Sequence, residues 1–117
     1  MPFLFENLDI YQRAIGFNGG VDAACSKLPV GHYFLADQLK RAALSIAANV
    51  AEGSGRWHKN DKRNFYYFSR GSIFECVAIL DVCIKNQLLD RRIVEQLKLE
   101  LTEISKMLTK LIRSLDL

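Results

Sequence analysis

EGSGR, residues 52–56, has the glycines and the cation of a phosphate cradle. A Walker-type loop needs GxxxxGK[ST] between a strand and a helix. Here the alanine-rich run SIAANVA, residues 45–51, leads into the glycines and has helical character. Anions bind at helix N-termini, whereas these glycines follow a C-terminus, whose partial negative charge repels phosphate. The expectation is therefore a glycine helix stop, with Gly53 or Gly55 at positive φ.

The other reactive side chains are sparse. Cys76 and Cys83 are seven apart, about two helical turns and too far to ligate one metal alone, and Cys25 lies far from both in sequence. His32 and His58 form no HxxxH or ExxH pair. No metal site, cofactor or nucleophilic dyad is expected. Glu75 falls in the most apolar stretch of the chain, and Glu52 ends the alanine run. A buried carboxylate must be paired or neutralised. The expectation is a buried or interfacial ion-pair network of Arg41, Glu52 and Glu75, with Arg56 and Arg70 as further partners. A two-carboxylate active site built on Glu52 and Glu75 is the sharper alternative.

Cations gather in one place. Residues 56–89 carry six basic side chains (Arg56, Lys59, Lys62, Arg63, Arg70, Lys85) against three acidic ones (Asp61, Glu75, Asp81), so this third holds the whole net charge of +3. Arg56, Trp57, Lys59, Lys62 and Arg63, followed by Tyr66, Tyr67 and Arg70, interleave cations with aromatics. Such a surface can neutralise phosphates and stack on bases. Lys59, Arg63, Tyr66 and Arg70 recur at helical spacing and could line one face. The same residues would also make a solvated loop and helix start.

These residues must be positioned by helices. Two prolines in 117 residues leave nearly the whole chain free to be helical, and no stretch alternates with period two. Half the residues are hydrophobic and a quarter charged, the composition of one globular domain spanning 1–117. Four helices are predicted, at about 7–25, 33–52, 60–86 and 91–114, in an all-α, antiparallel up-down-up-down four-helix bundle. The first has Leu8, Tyr11 and Ile15 as its apolar stripe and a kink or close contact at Gly19 and Gly20. Asn60 or Asp61 is the expected N-cap of the third and Asp90 that of the fourth. The fourth repeats Ile93, Leu97, Leu101, Ile104, Leu108, Leu111 and Leu115 at coiled-coil spacing. The third is apolar almost all round from Ile73 to Ile84. Either it lies at the centre of the fold, or another subunit covers its second face.

QLKRAALSIAANVAEGSGR (38–56), FYYFSRGSIFE (65–75) and EISKMLTKLIRSL (103–115), with KLP at 27–29, resemble the 23S rRNA intervening-sequence protein family over nearly the whole chain. The matching motif positions are Arg41, Ser45, Asn49, Glu52, Gly53, Gly55, Arg56, Gly71, Ser72 and Glu75. Tyr11, where the family often has tryptophan, and GFNGG (16–20) depart from the pattern, which bears on the geometry of the first helix. The resemblance implies a four-helix bundle, a homopentamer and no established enzymatic activity. It is also similar to the accessory variability proteins of diversity-generating retroelements, pentamers that bind nucleic acid and a reverse transcriptase.

The expectation is thus a non-enzymatic homo-oligomer, a pentamer, that binds RNA or another nucleic acid through residues 56–70. The alternative is a ring-shaped scaffold for a protein partner, without nucleic acid. No run approaches the ~20 apolar residues of a membrane span, and MPFLFENLD lacks the pattern of a signal peptide. Three cysteines without CxxC spacing suit reduced thiols and a cytoplasmic location.

Overall fold

A computed structural model describes residues 3–117. After a 3-10 turn at Leu4–Asn7 come α1 (Asp9–Cys25), α2 (Tyr33–Ser54), α3 (Lys59–Lys85) and α4 (Arg91–Ser114). The described residues contain no strand. α1 packs on α2 and α4, and α3 packs on the same two helices. The result is an antiparallel four-helix bundle about 46 Å long, with each connection at one end or the other.

Periodicity explains the core. α4 buries Leu97, Leu101, Ile104 and Leu108 of the expected seam, with Val94 in place of Ile93; Ile93, Leu111 and Leu115 pack half-buried at its edges, and Asp90 caps the helix by accepting the Arg92 N–H at 2.8 Å. α2 buries Leu39, Ala42, Ala43, Ile46, Ala47 and Val50. The stripe of α1 is Ile10, Ala14, Phe17, Val21 and Ala24; of the expected residues Leu8 and Tyr11 pack half-buried beside it, and Ile15 faces outward. Four-three spacing over 8–15 fits two faces, and Phe17 and Val21 select the one that meets the other helices. α1 runs unbroken through Gly19 and Gly20. At Gly20 a β-carbon would stand 3.3 Å from Leu97 Cδ2, so its small size serves contact with α4.

α2 and α3 are held closely by small and hydroxylated residues. The Ser45 and Ser72 hydroxyls are 2.8 Å apart, Ser69 Oγ donates to the Ile46 carbonyl at 2.9 Å, and Asn49 Nδ2 donates to both Ser45 oxygens at 2.9 Å. These bonds satisfy Ser69, which is fully buried.

Gly53 does not end α2. The helix continues to Ser54, and Gly55, its C-cap, has φ −83°. Positive φ occurs instead at Gly31 and Gln87 in other turns. A β-carbon on Gly53 would lie 2.7 Å from Tyr66 Cε1 and 3.0 Å from Phe65 Cβ. The glycine is there to let α3 come close, and its lack of a side chain matters more than its φ.

α3 is not central. Its core face buries Tyr66, Ser69, Ser72, Ile73, Cys76, Leu80 and Cys83. The opposite face, Tyr67, Gly71, Phe74, Ala78 and Val82, is exposed along the helix. Phe74 is 56% exposed and Phe68, beside the stripe, 59%.

Candidate nucleic-acid interface

Residues 55–58 join α2 to α3 at one end of the bundle. The last carbonyls of α2 are capped partly by backbone, the Gly55 N–H donating to Ala51 and Glu52. Lys62 Nζ also donates to the Ser54 carbonyl at 3.0 Å, setting a cation at the negative end of the helix dipole. α3 begins at Lys59, with His58 as an N-cap making no side-chain hydrogen bond. The expected cap residues lie inside its first turn, where Asp61 complements the dipole.

The cationic cluster divides by environment. Trp57 is 90% exposed, and His58 and Lys59 are exposed beside it. Arg56 lies 3.6 Å from Glu52 and sets its guanidinium 4.6 Å above the Phe65 ring, with much of the side chain still open. Arg63 is committed elsewhere: it donates to Asn60 at 2.8 Å and to Asp116 at 2.6 Å, in the segment after α4. Arg70 stands over the Phe74 ring at 5.3 Å. Lys59, Arg63 and Arg70 do share one edge of α3, but Tyr66 turns inward. It is 3% exposed, with its hydroxyl 3.1 Å from Ser54 Oγ. Its position one turn before Ser69 and two before Ile73 puts it on the core face, so it is not part of the accessible surface.

Within the protomer, Arg41, Glu52 and Glu75 do not form an ion-pair network. Arg41 pairs with Asp37 at 3.0 Å, Glu52 pairs with Arg56, and Glu75 is exposed. Neighbours one turn away satisfy these charges at little conformational cost. The Ser45–Ser72 contact lies between the levels of Glu52 and Glu75, leaving the two carboxylates about 15 Å apart along the helix axes. They share no site.

The thiols are inert by burial. Desolvation first, then the negative charge of Glu75, pushes Cys76 up to about 12. Burial is also the main cause of the rise at Cys25 and Cys83. A thiol held neutral is neither nucleophile nor metal ligand. Among the described residues no three His, Cys, Asp or Glu side chains gather as a metal site, and no helix is long and apolar enough to cross a membrane.

Sequence reasoning missed the masking of Arg63 by Asp116, which rests on residues 53 apart. It also missed the hydroxyl contacts of α2 and α3, although small residues at 45, 69 and 72 were their visible signal.

Residues 6–110 match the family model described as 23S rRNA-intervening sequence protein. The bundle is similar to the crystal structure of a protein of unknown function from the S23 ribosomal protein family of Bacteroides thetaiotaomicron. That likeness has a TM-score of 0.80 at 22% identity, covering 88% of this chain and 97% of the other. At that identity it speaks for the fold. No curated protein matches the sequence significantly.

Proposed function

The chain belongs to the 23S rRNA-intervening sequence protein family, and from that premise we propose a non-enzymatic, ring-forming oligomer that binds RNA or another nucleic acid. The observation that carries the reading is the α2–α3 turn, where Arg56, Trp57 and Lys59 stand exposed together at one end of the bundle. Lys62 adds charge beside them even while capping α2, and Arg70 extends the positive edge along α3. The family's description names 23S rRNA, which suits an RNA ligand.

The oligomer rests on the exposed face of α3. Tyr67, Phe74, Ala78 and Val82 form an apolar stripe that a second copy would cover. A pentamer, implied by the resemblance, would repeat the cationic turn around an axis and strengthen the local field. Reduced, buried thiols suit the cytoplasm.

The test is binding of mixed RNA across a salt series, read by anisotropy. Affinity should fall steeply with salt. Arg56→Ala or Lys59→Ala should each lower the log–log slope by about 0.7–0.9, the share of one neutralised phosphate. Lys62 and Arg63 are poorer probes, because one caps a helix and the other is paired. Absence of binding at low salt ends the nucleic-acid reading and leaves the α3 stripe to a protein scaffold.

A further inference from the structure

We infer that the turn takes a single-stranded segment with unpaired bases, and that Trp57 is its stacking platform; this rests on the nucleic-acid reading above. Trp57 is the chain's one tryptophan and is 90% exposed. Burying a large apolar side chain contributes about 1.5–3 kcal/mol to a fold, and the bundle forgoes that contribution here. The indole therefore has no packing role in the protomer. It also lies off the α3 stripe, in the connection before the helix begins, ten residues ahead of Tyr67.

Its neighbours define the ligand. Arg56, held by Glu52 and the Phe65 ring, and Lys59, on the first residue of α3, flank the indole in sequence. Cations on both sides suit a phosphate backbone passing across the turn. Between them, an indole can take the face of a base. In a duplex both faces of each base are already covered by neighbouring pairs, so only an unpaired base can stack there. Because every base offers a π-face, the contact is tolerant of sequence. RNA and DNA single strands share this chemistry, and the assay separates them.

The single tryptophan makes its own reporter. The full chain is titrated at low salt with unstructured oligouridylate of about 12 nucleotides, with its deoxy counterpart, and with a duplex of that length. Single strands should quench the emission and bind more tightly than the duplex, and a preference between the two sugars shows whether 2′-hydroxyls are read. Both variants lack that reporter, so their binding is read by anisotropy of the labelled oligonucleotides: Trp57→Ala should weaken single-strand binding about 5- to 150-fold and leave duplex binding unchanged, while Trp57→Phe keeps most of the affinity. Both variants should retain helical circular dichroism, since the indole packs against no part of the core. Equal binding of strand and duplex, with emission unmoved or with Trp57→Ala silent, overturns the stacking site and leaves the cationic turn standing. No binding of either overturns both.

Discussion

Replacing Gly53 by alanine tests whether closeness of α2 and α3, not a helix stop, explains that glycine. The added carbon would sit 2.7 Å from Tyr66 Cε1 and 3.0 Å from Phe65 Cβ and Tyr66 Cδ1. None of these is a free side-chain end: Tyr66 is buried, and its hydroxyl is tied to Ser54. Overpacking of this kind costs about 1–3 kcal/mol, and displacing the tyrosine forfeits a hydrogen bond of about 1 kcal/mol. Against that, alanine improves on glycine in a helix by at most about 1 kcal/mol. The net expectation is a loss of about 1–3 kcal/mol. For a chain of 117 residues the unfolding entropy is about 0.25 kcal/mol per kelvin, so Tm should drop by about 4–12 °C. Thermal unfolding followed by circular dichroism at one fixed protein concentration measures it. Gly16→Ala is the control, because its β-carbon meets nothing within 4 Å and should raise Tm slightly. A Gly53→Ala protein as stable as the parent, or more so, would refute the close-approach argument.

Three further outcomes follow from the same geometry. Ala78→Glu, in the middle of the exposed α3 stripe, should leave helicity intact and convert the proposed oligomer to monomer by sedimentation; an assembly unchanged by it would remove that stripe from the interface. Asp116→Ala releases Arg63 and should tighten RNA binding several-fold, with a salt slope steeper by about 0.7–0.9; unaltered affinity would place Arg63 outside the interface. Below about pH 9 the Cys76 thiol is protonated whether folded or not, so it contributes no pH dependence there. Above that, the unfolded chain releases the proton while the folded chain keeps it to about 12. Stability should fall as pH rises through this window, by up to about 1.4 kcal/mol per unit. Urea midpoints near pH 8 and pH 10 should diverge less in Cys76→Ala; equal divergence would show that this thiol does not ionise on unfolding.

What could be read from sequence depended on range. The α4 seam, the alanine-rich α2 and the Asp90 cap follow from spacing within a few residues, and all stand in the structure. The largely apolar run of α3 from Ile73 to Ile84 was also legible, but whether it sits centrally depends on how four helices tile, which no local pattern records. Gly53 misled because a glycine near a helix end looks alike whether it reverses the chain or admits a neighbour. Tyr66 misled because helical spacing identifies a face without saying which way it points. Arg41 was assigned a distant partner when Asp37, one turn off, satisfied it first, whereas Glu52 found Arg56, one of its expected partners. Arg63 found its acid across the bundle, beyond any sequence window.

The four-residue link between α2 and α3 bears on the order in which the molecule forms. Closing so short a loop costs little chain entropy, and the contacts it brings together, from Gly53 on Tyr66 to Ser45 on Ser72, are those of a compact hairpin. α1 and α4, by contrast, meet only after most of the chain has been spanned. We expect this hairpin to be the nucleus of folding. Truncations such as Ile46→Val or Ile73→Val should slow refolding with high φ-values, and Val21→Ala should mainly speed unfolding. The opposite ranking would assign the nucleus to the chain ends. On this reading the cationic turn is made at the start of folding, and the outer helices close around a hairpin that already presents it.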